Sequence, residues 1–294
     1  MKGSWKKTEE QVTEITDKTV KFIKTEALSG GCINQAWKVL DSNQTAWFIK
    51  TNDPQKIDMF AAEFEGLNEI AKSNTILSPK ALCYGANDDV SYLVLEYIPL
   101  QSRLNQRLAG EQLAKMHQTY SDRFGWYRDN TIGSTVQVNS QYTDWVEFWK
   151  TNRLLYQLDL AQSNACPATI YDKGLALAEN THWFFSGYNV KPSLLHGDLW
   201  AGNIAADDKG NPLIYDPAVY YGDREADLAM TELFGGFDDE FYSAYQDYYT
   251  IDHGYKVRKT LYNLYHILNH YNLFGGGYAS QAGQMIDRLL AEVR

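Results

Sequence analysis

Four polar residues lie close together in the segment LLHGDLWAGNIAADDKGNPLIYDPA, which runs from residue 194 to 218. His196 and Asp198 are separated by one residue, Asn203 follows five positions after Asp198, and Asp216 ends the run PLIYD. A carboxylate beside a hydroxyl can accept its proton, and carboxylate and amide oxygens are ligands for hard cations such as Mg²⁺. Either these residues decorate short strands by chance, or they surround a metal-bound phosphate.

The spacing His-x-Asp-x₄-Asn is that of the protein-kinase catalytic loop, in which the Asp accepts a hydroxyl proton and the Asn holds a metal ion. Asp216 ends a β-run, where the same pattern places its principal metal-binding Asp. We therefore predict that Asp198 is the catalytic base and that Asn203 and Asp216 hold metal. Because Asp198 already fills the acid–base role, we interpret His196 as a structural hydrogen-bonding residue.

Residues upstream match the parts of such a site that hold a nucleotide. Lys50 lies on the third predicted strand, and Glu63 lies on the next helix, where it can pair with Lys50. A glycine turn precedes them, and the run LVLEYI follows where a connection between lobes would offer backbone groups to adenine. Each signal alone is weak, since lysines and helix glutamates are usually exposed, but all occur in the order that one mechanism requires. The predicted nucleotide-binding residues are Gly30, Gly31, Cys32, Lys50, Glu63, Glu96 and Ile98.

The pattern of apolar residues places these groups on an α+β fold with two lobes, as in protein kinases. Strands are predicted at 21–28, 34–41, 45–51, 80–86 and 91–98, with helices at 5–18 and 57–72. Further helices are predicted at 103–119, 142–165, 167–182, 225–234, 238–249, 255–273 and 279–293, and the only strand-like pieces after residue 100 are SLLH, NIAAD and PLIYD. We expect a small antiparallel-sheet lobe over residues 1–98 and a larger, mainly helical lobe over 99–294, with the ligand in the cleft between them.

Composition narrows the classes of function. The chain has 294 residues and a net charge of −10, which argues against general nucleic-acid binding but not against a nucleotide held by lysine, backbone amides and divalent metal. No apolar run reaches the ~20 residues that span a bilayer, and the first residues are too polar for a signal peptide. Cys32, Cys83 and Cys166 match no zinc or disulfide pattern, so we expect a cytoplasmic protein without a membrane partner.

Departures from the protein-kinase pattern indicate a small-molecule substrate. HGD stands where protein kinases have HRD, DPA replaces DFG, the glycine loop has only GG, and no APE-type segment follows.

Several segments resemble the fructosamine kinase (ketosamine-3-kinase) family over nearly the whole chain. They are LSGGCINQAW (28–37), FGWYRDNTIGSTVQVN with DWVEFWKTNRLLYQL (124–158), LLHGDLWAGN (194–203) and YDPAVYYGDREADLAMTELFGGF (215–237). Choline and aminoglycoside kinases share HGDLxxxN but not the last segment.

This resemblance implies a kinase that uses ATP with Mg²⁺ to phosphorylate the third-carbon hydroxyl of ketosamines, on free amines or glycated protein lysines, as a deglycation repair activity. It also implies that Asp227 braces the catalytic loop from behind. Many family members have His at the position of Asp223, so that residue is given no role. Trp200 either offers a flat face to the sugar or is a core residue between the lobes.

Other readings stay open at this point. The chain could be a kinase of the same fold for choline, an aminoglycoside or a sugar such as methylthioribose. A pseudokinase is disfavoured by the intact set of catalytic and metal-binding residues, and a non-catalytic interaction module is disfavoured for the same reason. The preferred ketosugar, the state of the amine and the oligomeric state are left undetermined.

Cys32 also suggests redox control. It follows two glycines in the turn that should face the ATP phosphates, where positive potential would make a thiol reactive. We predict that its oxidation, or a Cys32–Cys32 bridge in a redox-linked dimer, reduces activity reversibly. The alternative is a buried, unreactive cysteine.

Overall fold

A computed structural model describes residues 5–28 and 33–293. The chain divides into two compact units. We call Met1–Asn105 with Ala205–Pro217 the N-terminal unit, and Gln106–Ile204 with Ala218–Arg294 the C-terminal unit. The expected functional boundary after residue 98 stays a prediction.

The N-terminal unit is built on an antiparallel sheet that has five strands within the described residues, in the order β1-β2-β3-β5-β4. The first three strands form the predicted meander, because β1 pairs antiparallel with β2 and β2 pairs antiparallel with β3. The strands are β1 Phe22–Leu28, β2 Gln35–Asp41, β3 Ala46–Asn52, β4 Ala81–Ala86 and β5 Ser91–Glu96.

Each face of this sheet has its own apolar core. Helix α1 (Lys6–Thr16) supplies Val12 to the core on one face, together with Ile49 of β3. Helix α2 (Ile57–Ser73) supplies Phe60 to the other core. Because side chains alternate along a strand, Lys50 points to the face opposite Ile49, which is the face that α2 covers. The alternation of side chains along β3 thus places the buried Lys50 against helix α2.

A hairpin from much later in the chain completes the N-terminal unit. Strands β9 (Ile204–Ala206) and β10 (Pro212–Ile214) pair with each other, as the sequence predicts. Asp207 caps the turn between them by accepting hydrogen bonds from the amides of Lys209 and Asn211. The hairpin leads directly to Asp216.

The C-terminal unit is mainly helical, and its helices confirm the predicted ones. The predicted helix at 142–165 is interrupted by a π-helical segment at Lys150–Leu155. The helices are α3 Gln106–Met116, α4 Trp145–Trp149, α5 Tyr156–Ser163, α6 Ala168–Glu179, α7 Glu225–Leu233, α8 Asp239–Tyr248, α9 Tyr255–Phe274 and α10 Tyr278–Glu292.

The expectation of only three strand-like pieces after residue 100 was wrong. Strands β6 (Asn130–Ile132) and β7 (Thr135–Gln137) form a hairpin, and β11 (Tyr220–Gly222) pairs with the predicted strand β8 (Ser193–Leu195). Strands β6 and β7 contain one apolar residue each, so they lack the short apolar run that reveals β8, β9 and β10, although those strands are also three residues long.

In the described part of the chain, no helix combines the length and the apolar character needed to cross a membrane.

A close backbone approach joins α3 to α8 and gives a stability prediction. A Cβ added at Gly110 would lie 2.2 Å from the carbonyl oxygen of Phe241. We expect Gly110→Ala to lower the free energy of unfolding by about 1–3 kcal/mol, because the helices must separate to fit a methyl group. The matched control is Gly283→Ala on α10, whose Cβ would meet only Ile170 at 3.5 Å and should stabilise by roughly 0.5–1 kcal/mol. Urea unfolding measures both, and equal stabilities for the two variants would contradict the prediction.

Candidate active site

Lys50 lies between two carboxylates in the N-terminal unit. Its Nζ donates to Glu63 Oε1 at 2.5 Å and to Asp216 Oδ1 at 2.6 Å. The predicted pairing with Glu63 is confirmed, whereas the contact with Asp216 had no signal in the sequence. A cation on the sheet is thus joined to a helix carboxylate and to the carboxylate proposed for metal binding.

Lys50, Glu63 and Asp216 form a triad in which one positive charge faces two carboxyl groups. Burial opposes the charge on Lys50, but Asp216 and Glu63 outweigh burial and raise the pKa of Lys50. Burial raises the pKa of Glu63, and Lys50 opposes that change only in part. Lys50 is therefore a permanent cation whose position is fixed from two sides.

Asp216 differs from Glu63 in exposure and backbone. Its side chain is 48% exposed, against 10% for Glu63, so it faces solvent while Glu63 is enclosed. Its φ of 58° lies in the left-handed region, which residues other than glycine seldom adopt and which is often found at functional sites. The chain turns sharply at Asp216, and this turn presents the carboxylate to solvent beside Lys50.

The remaining predicted nucleotide residues are less defined. Gly30, Gly31 and Cys32 lie outside the described residues. Glu96 ends β5, where its amide donates to the carbonyl of Lys80 and its Oε1 accepts from the Lys80 amide. The Glu96 amide is thus already used within the unit, whereas Ile98 follows the strand in a half-buried, irregular segment.

The structure also bears on the cysteines of the chain. The redox control and the bridge that we predict for Cys32 have no support from the structure. Cys83 is buried in the sheet, and burial raises its pKa to about 12. Burial also raises the pKa of Cys166. Raised pKa values disfavour the reactive thiolate form of both cysteines.

The catalytic loop lies in the C-terminal unit and begins at a glycine that no other residue can replace without strain. Gly197 has φ +82°, and a Cβ there would lie 2.0 Å from the carbonyl oxygen of Ala218. His196 is fully buried, and its Nδ1 accepts a hydrogen bond of 3.3 Å from the Asp198 amide. His196 therefore has the hydrogen-bonding role that the sequence predicts.

Asn203 orients Asp198. Its Nδ2 donates to the Asp198 carbonyl at 2.8 Å and to Asp198 Oδ2 at 3.1 Å. Because an amide carries its donor and its acceptor on separate atoms, this arrangement leaves the Asn203 Oδ1 available for a cation. The spacing of five residues thus brings the predicted base and the predicted metal ligand into contact.

Asp227, at the start of α7, braces the loop as the sequence predicts. Its Oδ2 accepts from the amide of His196 at 2.7 Å, and its Oδ1 accepts from the amide of Gly197 at 2.8 Å. Burial would raise the pKa of this carboxyl, but the hydrogen bond from His117, with the loop amides, outweighs burial and lowers it. An ionised, buried carboxylate therefore fixes the two peptide groups that precede Asp198.

A buried relay behind Asp227 was missed from the sequence. His117 Nε2 lies 3.1 Å from Asp227 Oδ2, and its Nδ1 lies 2.8 Å from the hydroxyl of Tyr245. Burial lowers the pKa of His117 despite its acidic neighbour, so the neutral ring donates through Nε2 and accepts from Tyr245. Arg224 donates to that hydroxyl in turn, at 3.2 Å. His117 lies 128 positions from Tyr245 and 110 from Asp227, so no local spacing could reveal its place in this relay.

Asp223, which the sequence left without a role, is a structural carboxyl. It is buried and accepts from the hydroxyls of Tyr188 at 3.1 Å and Tyr262 at 2.5 Å. Burial raises its pKa.

Trp200 lies on the surface of the C-terminal unit, so the core alternative was wrong. Its side chain is 39% exposed and meets Phe234 edge-on at 6.2 Å, and Phe234 in turn contacts His270 at 5.4 Å. Gly202 lies against the indole, where a Cβ would come within 2.3 Å of the ring. The loop therefore carries an exposed aromatic face two residues after Asp198.

Comparison with known proteins places these residues in one family. The profile of the family described as fructosamine kinase matches residues 4–292. The chain belongs to the fructosamine kinase family. The site residues of both units fall within the matched range.

Relatives and solved structures agree with this membership. A Synechocystis sp. protein named "probable ketoamine kinase" is 43% identical over 293 residues, covering 97% of each chain. The chloroplastic protein-ribulosamine 3-kinase of Oryza sativa subsp. japonica is 42% identical, covering 97% of this chain and 82% of the relative. A solved candidate fructosamine-3-kinase from Haemophilus somnus 129PT has a TM-score of 0.90 at 30% identity, covering 98% of both chains.

More distant structures have the same fold. An aminoglycoside phosphotransferase is 14% identical with a TM-score of 0.63, covering 97% of this chain and 99% of that one. The fructosamine kinase fold of this chain is therefore protein-kinase-like, as the sequence predicts.

The buried charge of Asp227 predicts a pH dependence of stability. Its folded pKa lies below the ordinary value of 3.8, so its stabilisation is complete above that value and is lost as pH falls through the folded pKa. We expect Asp227→Asn to cost about 1–3 kcal/mol at neutral pH, because one loop amide loses its acceptor. Urea unfolding of both proteins from neutral to acid pH should show this difference shrinking below pH 3.8. A difference that is constant with pH would show that the charge of Asp227 does not matter.

Proposed function

We propose that this protein transfers the γ-phosphoryl group of ATP to the third-carbon hydroxyl of ketosamines, giving ADP and a ketosamine 3-phosphate. The family match over residues 4–292 carries this proposal, and the relatives named for ketoamines and ribulosamines support the substrate class. Ketosamines are the adducts of sugars with amines, carried by small molecules or by protein lysines. The protein is then a deglycation enzyme.

Lys50 supplies the positive charge that ATP phosphates require. Its two carboxylate partners hold it at 2.5 and 2.6 Å, so little further ordering of a flexible side chain is needed when phosphate oxygens arrive. Because Asp216 is partly exposed, phosphates can approach Lys50 from the side on which Asp216 lies. Preorganised charge of this kind is the main source of catalysis in phosphoryl transfer.

Asp198 is the group that receives the hydroxyl of the acceptor. A secondary sugar hydroxyl is far less acidic than a carboxylic acid, so Asp198 orients it and accepts its proton late in a loose transition state. Asn203 restrains one carboxylate oxygen of Asp198, and Asp227 holds the peptides before it. These contacts restrict the base to one orientation.

The donor set fits magnesium. Asp216 offers a partly exposed carboxylate and Asn203 an amide oxygen, and both are hard oxygen ligands of the kind that Mg²⁺ binds. Among the described residues there is no cluster of three or more His, Cys, Asp or Glu that could hold a metal ion. A site with few protein ligands suits Mg²⁺, which keeps water and takes phosphate oxygens. When bound, the ion neutralises charge on the phosphates.

Trp200 and Phe234 offer an apolar surface to the sugar. Both are exposed, at 39% and 46%, and aromatic rings pack against the apolar faces of ligands while their edges accept polar neighbours. This surface begins two residues after Asp198, which keeps the bound sugar near the base.

The second candidate function is that of a kinase with the same fold that acts on another small molecule. The fold alone is shared with aminoglycoside and choline kinases, so only the substrate test separates them. A pseudokinase is disfavoured because Lys50, Asp198, Asn203 and Asp216 are all present.

Phosphorus NMR of the product tests the proposal. Purified protein with Mg-ATP should phosphorylate fructosamines, ribulosamines or erythrulosamines on the third carbon, and the product should then eliminate phosphate and release its amine. Asp198→Asn should bind ATP but turn over about 10²-fold or more slowly, because base catalysis is lost. Phosphate on another carbon, or activity confined to choline, aminoglycosides or methylthioribose, would refute the proposal.

Calorimetry of ATP binding tests the metal ligands. With magnesium present, Asp216→Ala should weaken ATP binding more than Asn203→Ala does, because a carboxylate binds a hard cation more strongly than an amide. Without magnesium the two variants should be similar to each other. Equal losses in magnesium, or none in either variant, would contradict these assignments.

A further inference from the structure

The segment between residues 124 and 158 contains a buried polar network that the proposed chemistry does not use. Its members are unusually enclosed for polar side chains, with exposures of 7% or less. Polar groups are buried at this level only when their hydrogen bonds are satisfied. The network consists of Asn130, Gln137, Asn139 and Arg153.

Two amides of the β6–β7 hairpin reach two consecutive carbonyls of the chain after Asp216. Asn130 and Gln137 face each other in the hairpin. Gln137 Nε2 donates to the Ala218 carbonyl at 3.0 Å, and Asn130 Nδ2 donates to the Val219 carbonyl at 2.7 Å. Gln137 Nε2 also donates to Asn130 Oδ1 at 2.8 Å, so each amide fixes the orientation of the other.

The carbonyl that Gln137 holds is the one that determines where the catalytic loop lies. The Ala218 amide donates to the His196 carbonyl at 2.8 Å. The Ala218 oxygen also occupies the space beside Gly197, 2.0 Å from where a Cβ would be. A shift of this carbonyl must move Gly197, and Asp198 is the next residue.

The hairpin amides are anchored from behind by groups on three elements. Tyr265 of α9 donates its hydroxyl to Gln137 Oε1 at 2.9 Å. Asn139 Nδ2 donates to Asn130 Oδ1 at 3.1 Å, and Arg153 Nη2 donates to Asn139 Oδ1 at 2.7 Å. Arg153 Nε is buried without a hydrogen-bond partner, but the side-chain amides of Asn130, Gln137 and Asn139 are matched in one arrangement. Rotating any of these amides would leave a buried group unpaired, which makes them rigid.

Arg153 is an unusual anchor. It has no exposed surface, and within the described residues no carboxylate lies at ion-pair distance from it. Its guanidinium instead lies 4.2 Å from the ring centre of Tyr220 and 4.7 Å from that of Phe148, and donates to the Val138 carbonyl at 2.5 Å. It belongs to the π-helical segment, a distortion frequent at functional sites. A buried cation without an acid partner is costly, which argues for a role beyond stability.

We propose that this network is a clamp on the catalytic loop, in which Gln137 and Asn130 are positioning residues for Asp198. The clamp acts by holding the Ala218 and Val219 carbonyls, and Arg153 holds the clamp. This proposal rests on the kinase activity proposed above.

Gln137→Met tests the clamp, because methionine has a similar shape but forms none of these hydrogen bonds. We expect kcat with a ketosamine to fall about 10-fold or more, since small displacements of a catalytic group are costly. The affinity for ATP, measured by calorimetry without magnesium so that the metal ligand Asn203 plays no part, should not change, because Lys50 and Glu63 lie in the other unit. The matched control is Leu289→Ala in α10, a buried residue that lowers the melting temperature without contacting the clamp. It should keep kcat within about twofold of wild type.

The outcomes separate the clamp from the proposed function. If Gln137→Met and Leu289→Ala lose similar stability and both keep kcat, the network is only structural and the clamp is refuted. A parallel loss of ATP affinity and kcat refutes it too. If Gln137→Met does not fold, Tyr265→Phe, which removes one hydroxyl from the clamp, decides by the same criterion with a smaller fall in kcat. A wild-type protein that phosphorylates no ketosamine refutes the proposed function instead.

Discussion

The buried carboxylate of Asp227 is the constraint on which the C-terminal unit depends. A carboxylate without water costs several kcal/mol unless its oxygens are matched by donors. Here the donors are the amides of His196 and Gly197 and the ring of His117. These groups come from the catalytic loop and from the residue that follows α3, so the loop and two helices must come together for Asp227 to be buried. The catalytic loop therefore takes up its geometry only when the helices pack together.

The N-terminal unit uses the same principle with the opposite sign. Its buried charge is a cation, Lys50, and the groups that match it are carboxylates from a helix and from a sharp turn. Only one of those carboxylates is enclosed. The unit thus leaves part of its charge accessible, whereas Asp227 is sealed.

Local patterns in the sequence were enough to identify the helices and the longer strands, and the residues that these elements carry. The alternation of β3 predicted a lysine on a strand, the helical spacing after it predicted the position of Glu63, and five residues of spacing predicted the contact of Asp198 with Asn203. Contacts across long separations were not predictable. Lys50 meets Asp216 across 166 positions, and His117 meets Asp227 across 110. The amide clamp was missed for a second reason, because its strands β6 and β7 contain one apolar residue each and give no apolar run.

The division of the chain has a consequence for biosynthesis. Because Ala205–Pro217 belongs to the N-terminal unit, that unit cannot be completed when its first 105 residues emerge from the ribosome. At elongation rates of about 5–20 residues per second, roughly 6 to 22 seconds pass before the partner segment is made. During that interval Glu63 is the one carboxylate of the triad available to Lys50, and the nascent sheet lacks its hairpin. A fragment cut after residue 105 would keep this unfinished state, so truncation there cannot isolate a complete N-terminal unit.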